Sequence, residues 1–174
     1  MLTLGCERAT PPISQGGMVV SRSIAAIALP VVALLLTCTF AGAQQSGTGA
    51  EAKAMLERAI AALNSNEATA LSEMNDKNNT QFHDRDLYVF CVTMADGKLT
   101  TTANPKLIGT DARTLKAGDD PFGQRIYDTM KSTAPGTIAT VDYKFPKPGT
   151  TENLPKQSFV TRVGDQGCGV GYYK

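Results

Sequence analysis

Tyr143, Lys156 and Ser158 are the side chains whose types and spacing most readily suggest chemistry. Alternate residues of an extended chain share a face. Val141, Tyr143 and Phe145 therefore point one way on one predicted strand, and Lys156, Ser158 and Val160 point one way on the next. If those faces coincide, a phenol, an ammonium and a hydroxyl meet in an otherwise apolar cup. Such a set suits a small carboxylate, because the cation offsets its charge and the hydroxyls hold its oxygens. The plainer alternative has Lys156 reaching solvent along its apolar stem and Tyr143 half-buried as packing. Arg125 and Tyr127, on a predicted short helix, are secondary binding candidates that could equally be surface residues.

Other arrangements carry less chemistry. His83 lies between Phe82 and Asp84, but neighbours on an extended chain point in opposite directions, and no motif ties a nucleophile to it. Asp84, Asp86, Asp96, Asp119 and Asp120 match no calcium-loop spacing, and Asp beside Gly or Pro is ordinary turn and cap chemistry. The four cysteines form no C-x-x-C pair and the chain has one histidine, a poor basis for zinc. The expectation is therefore a protein with no catalytic residues, no metal and no cofactor.

Charge and the N-terminus narrow the class further. With 17 Lys and Arg against 16 Asp and Glu and no basic stripe, nothing offers a footprint for nucleic acid or an anionic membrane surface. Met18 opens a segment with Arg22 as its cation, an apolar run over 24–40, and Ala41-Gly42-Ala43 at its end. That is the grammar of a secretory signal with an A-x-A cleavage site. Residues 1–43 read as a leader with its signal peptide at 18–43, and the mature chain is expected to begin at Gln44 without a membrane span. A membrane anchor needs about 20 apolar residues, more than this Pro30-containing run supplies. Lipidation at Cys38 is the other alternative, although Thr37 stands where a small residue is expected. Cleavage would remove Cys6 and Cys38 and leave Cys91 and Cys168 in an oxidising compartment, which invites a disulfide.

The elements that must position these residues follow from periodicity. After a polar tail at 44–50, Met55, Leu56, Ala59, Ile60, Leu63, Leu71 and Met74 recur at helical spacing, and Asn64-Ser65-Asn66 offers a kink or split. Alternation predicts five strands, at 87–94, 98–103, 137–145, 157–163 and 167–173, the first two joined by a two-residue hairpin at Asp96-Gly97. Between the second and third strands, Phe122, Ile126, Tyr127 and Met130 predict a short amphipathic helix entered through Asp119-Asp120-Pro121. Helix first and antiparallel-prone strands after it is an α+β plan, with the segment 104–132 as a lid over one sheet face.

Four stretches, TTANPKLIGTD, TVDYKFPKPG, PKQSFVTRV and CGVGYYK, resemble motifs of the bacterial single Cache domains, PAS-like extracytoplasmic sensor modules. The likeness runs from about Glu51 to the C-terminus and departs at Thr102, where the family often has His, and at Phe145, where it often has Trp. Both departures bear on ligand chemistry more than on fold. The resemblance implies one domain at 51–174, with a long N-terminal helix packed on a five-stranded antiparallel PAS-like sheet. In such a sheet the first and last strands are central neighbours, which brings Cys91 and Cys168 within disulfide reach. It also implies a periplasmic or secreted module that binds a small organic acid or amino acid. Because the chain stops after the last strand, occupancy would be signalled through a separate partner, such as a membrane receptor or kinase. The rival expectation is an envelope interaction protein that keeps the fold without a working pocket.

Overall fold

The structure, a computed structural model, describes residues 46–147 and 150–174. The expected leader and its cleavage after Ala43 lie outside the described residues.

The chain enters through Thr48, whose side chain accepts from the Glu51 N–H while the Glu51 carboxylate accepts from the Thr48 N–H, a reciprocal capping box. Helix α1 runs Gly49–Ser65, so its first turn takes in two residues of the expected polar tail. The expected long helix is two helices. Asn66 adopts an extended conformation and serves both ends: its N–H donates to Ala62 O, and its side chain accepts from Thr69 N as the N-cap of α2, Glu67–Asn75. An amide side chain at an N-cap competes well with helix continuation, which is why the break falls here.

The sheet has six antiparallel strands where five were expected. They are β1 (His83–Asp84), β2 (Leu87–Thr93), β3 (Leu99–Thr101), β4 (Ile138–Pro146), β5 (Asn153–Val163) and β6 (Gln166–Tyr173). The path is β1-β2-β6-β5-β4, with β3 also on β2. The additional strand, β1, is two residues long, too short to show alternation, and is folded back on β2 through Arg85 at positive φ. The hairpin between β2 and β3 is longer than two residues. It closes on Thr93 N donating to Lys98 O and Gly97 N donating to Thr93 O. Met94 N is drawn away to Asp165 O at the β5–β6 turn, which opens the loop.

The sheet separates two cores. One face buries Leu87, Val89 and Val170 against Met55, Leu56, Ala59 and Leu63 of α1 and Met74 of α2. Each Leu, Val or Met among them contributes about 1.5–3 kcal/mol by leaving water. Cys91 and Cys168 pair in register on the adjacent central strands, Cα atoms 4.1 Å apart, and are joined by a disulfide within this core. The other face packs on α3 (Phe122–Ser132) through Ile126, Tyr127 and Met130. Pro121 occupies the α3 N-cap without a side-chain cap. The helix thus starts where the Asp119-Asp120-Pro121 signal put it, and Asp120 is paired with Arg125 at 2.8 Å.

Candidate functional site

On the α3 side, strand register assembles the predicted trio. Tyr143 lies opposite Lys156 and Val141 opposite Ser158 across β4 and β5, so all four share a face. Tyr143 and Ser158 share a hydrogen bond of 2.9 Å between their hydroxyls. On the next strand, β6, Tyr173 lies opposite Lys156, Gly171 opposite Ser158 and Gly169 opposite Val160.

Those glycines shape the floor. A Cβ at Gly171 would lie 2.6 Å from Ser158 Oγ and 2.7 Å from Lys156 Cε, and one at Gly169 would lie 2.6 Å from the Phe90 ring. Bare backbone therefore lets the Lys156 stem lie across β6 toward β2. Its ammonium ends among three rings, with centroids 4.5 Å away at Tyr173, 5.0 Å at Tyr88 and 5.2 Å at Phe145. Cation–π attraction of this kind contributes roughly 0.5–2 kcal/mol. Lys156 is only 2% exposed, and its ammonium has no hydrogen-bond or ion-pair partner among the described residues. Desolvation pulls it down to about 8, while the charge of Asp86 works in the opposite direction. Burial likewise pushes the Tyr88 phenol up to about 12 and raises those of Tyr143 and Tyr173.

At the edge of this cluster the incoming chain is fastened. Asp86 is buried and accepts from Gly47 N at 2.6 Å, leaving its other oxygen buried without a partner. Arg85 donates to Ser46 O, and Lys147 Nζ donates to Ser46 Oγ at 2.5 Å.

A cavity of about 440 Å³ lies between this sheet face and the segment that runs from Thr102 to Tyr127. Phe90, Tyr143 and Phe145 line it from the sheet, and Leu107, Leu115 and Phe122 from the lid. The Phe122 ring stacks on Tyr143 at 5.3 Å and meets Phe145 edge-on at 5.2 Å.

The predicted residues are distributed unevenly around it. Tyr143 and Tyr127 line the cavity, with the Tyr127 hydroxyl engaged by Met94 O. Lys156 and Ser158 do not; they lie in the floor, with the ammonium flanked by Tyr88 and Phe145, which do line the space. Arg125 faces a shallow outer depression and is held by Asp120. His83 is bonded through Nε2 to Met74 O, away from the cavity. Among the described residues no group of three or more metal-ligating side chains converges. Sequence reasoning missed Tyr88, Phe90, Lys116 and Asn153 in the lining. The signal that could have found the floor is the alternation Gly167, Gly169, Gly171, which leaves one face of a strand bare.

A single antiparallel sheet with α1 and α2 on one face and a lidded cavity on the other is the architecture of a Cache-type domain. The family described as Single Cache domain 2 matches residues 41–172, and the chain belongs to it. Cache domains are extracytoplasmic sensor and ligand-binding domains. Similar solved structures include a methyl-accepting chemotaxis protein from Vibrio parahaemolyticus RIMD 2210633, 20% identical, with TM-score 0.56 over 71% of this chain and 86% of that one. A periplasmic sensor domain of a chemotaxis protein is 24% identical, with TM-score 0.50 over 68% of this chain and 85% of that one. A Cache chemosensory domain described in terms of carboxylic acid recognition is 22% identical, with TM-score 0.50 over 68% and 83%. No curated protein matches the chain. Among the described residues no helix is long and apolar enough to cross a membrane.

Proposed function

We propose that this protein is an extracytoplasmic sensor module that takes a small organic carboxylate into the cavity beneath the 102–127 segment and passes occupancy to another protein. The observation that carries the reading is a partly open aromatic cavity with no acidic side chain in its lining and an unpaired, buried ammonium beside two of its rings. A buried cation that no carboxylate contacts is costly, and an anion brought close to it relieves that cost. The Cache fold supports the sensor role, and the carboxylic acid named for one similar structure agrees with the ligand class.

The ammonium is flanked by Tyr88 and Phe145 and does not belong to the lining, so its effect is smaller than that of a direct contact. A carboxylate held roughly 7 Å from the ammonium gains about 2 kcal/mol at an effective dielectric of about 20. Calorimetry with a series of short acids tests the reading. Binding to the unmodified protein and about tenfold or greater weakening in Lys156→Met are expected. If no organic acid binds, the carboxylate reading falls, and a Cache-like fold used for protein interaction in the envelope takes its place.

A further inference from the structure

The cavity walls discriminate among acids more sharply than the buried charge does. Most of the lining is ring and aliphatic surface, and two of the polar groups that reach it are already engaged: the Tyr127 hydroxyl by Met94 O, and the Tyr143 hydroxyl by Ser158. The remaining polar side chains in the lining, Tyr88, Thr102, Lys116 and Asn153, have no hydrogen-bond partner among the described residues. Tyr88 and Asn153 lie toward the Lys156 side, since the Tyr88 ring flanks the ammonium and Asn153 pairs in register with Pro146, next to Phe145. The space at about 440 Å³ corresponds to about fifteen waters of liquid volume. A two-carbon acid would leave most of that volume as water against an apolar wall, whereas a longer apolar body displaces it.

The electrostatics add a second filter. The lining holds Lys116 and no carboxylate, with Lys156 beside two of its rings, so an ammonium on the ligand would be desolvated without an acceptor. A second carboxylate, directed among Phe122, Leu115 and Ile126, would be desolvated against apolar side chains, with the exposed Lys116 as the one cation of the lining. Asp86 has one buried oxygen without a partner, but its other oxygen is held by Gly47 N and the residue does not belong to the lining, so it offers a ligand ammonium no direct contact.

Resting on the carboxylate reading above, we propose that the ligand is a monocarboxylic acid with an apolar body of about six to ten carbons. The body lies among Phe90, Phe122 and Phe145, and the carboxylate lies at the Tyr88 end, in front of Lys156. Amino acids and dicarboxylates are rejected.

Four compounds on one six-carbon skeleton, hexanoate, adipate, norleucine and hexan-1-ol, with acetate as the short acid, test this by calorimetry at about pH 7. Each buried methylene is worth about fourfold in affinity, so hexanoate is expected to bind over a hundredfold more tightly than acetate. Adipate and norleucine are expected to be at least tenfold weaker than hexanoate. Acetate within about threefold of hexanoate, or norleucine or adipate equal to it, overturns the ligand class while the carboxylate reading survives. Hexan-1-ol equal to hexanoate, or no binding by any acid, overturns the carboxylate reading and this class with it. Leu107→Trp, which fills the cavity from the half-buried lid, should weaken hexanoate and leave acetate unchanged. Unchanged hexanoate affinity in a Leu107→Trp protein shown by circular dichroism to be folded would place the site elsewhere and sink the proposal.

Discussion

Replacing Lys156 by Met should make the unliganded protein more stable. The substitution keeps the stem that lies across Gly171 and removes a charge that the fold has stripped of water. In the folded protein this amine titrates near 8, against 10.5 for the ordinary side chain. At about 1.36 kcal/mol per unit, holding the charged form inside costs on the order of 3 kcal/mol. Losing the attraction to the three rings costs the variant roughly 1–2 kcal/mol, which offsets a third to two-thirds of the benefit of removing the charge. A net gain of about 1–2 kcal/mol at neutral pH is expected for Lys156→Met.

The pH dependence follows with its sign. Between the folded and unfolded values the unfolded chain holds a proton that the folded chain has released, so stability rises with pH across that window. The expected rise for the unmodified protein is about 2 kcal/mol between about pH 7 and pH 9.5, and Lys156→Met should lack it. Above about pH 10 the buried tyrosines reverse the trend: unfolded phenols ionise there, while burial keeps Tyr88, Tyr143 and Tyr173 protonated. Urea unfolding curves at several pH values measure all of this. A Lys156→Met protein less stable than the parent at neutral pH, or a parent whose stability does not rise from about pH 7 to pH 9.5, would refute the uncompensated-cation argument.

Other perturbations give separable outcomes. Gly171→Ala should lose about 2–3 kcal/mol and split the Tyr143–Ser158 pair, since its new Cβ would strike Ser158, Lys156 and Tyr143 at once; thermal unfolding reads the loss. Reducing Cys91–Cys168, whose sequence separation is 77, should lower stability by on the order of 4 kcal/mol and the melting temperature by several degrees or more. Asn66→Ala removes the side-chain cap of α2 and should cost about 1 kcal/mol in urea unfolding. Mass spectrometry of protein recovered from the periplasm should find Gln44 at the mature N-terminus; a start at Met18 or a lipidated Cys38 would exclude cleavage after Ala43.

Much of the fold was legible because period-2 and period-3.6 patterns are strong in this chain. Alternation located β2 to β6, and the resemblance to Cache domains brought Cys91 beside Cys168. The same alternation put Tyr143 and Lys156 on one face, where the register places them. What alternation cannot report is depth. Whether Lys156 opens to the cavity or lies under it depends on Gly171, which lets the stem cross β6, and on Tyr88 and Phe145 from two other strands. Strand β1 escaped notice because two residues carry no period, and the hairpin lengthened because Met94 bonds to a distant turn. The start signal Asp119-Asp120-Pro121 marked the entry of α3, which begins at Phe122 with Pro121 at its N-cap.

The Cys91–Cys168 bond also has a consequence for covalent topology. The ring it closes contains β3, the whole lid, α3, β4 and β5, while α1, α2 and β1 lie outside it. Peeling the two N-terminal helices from the sheet therefore leaves that ring closed. A single backbone cut anywhere in the lid or in the turn between β4 and β5 yields two fragments that still share one molecule. Clipping of that exposed surface would register only as a mass gain of one water until a reductant was added, and the protein would part into two chains only then.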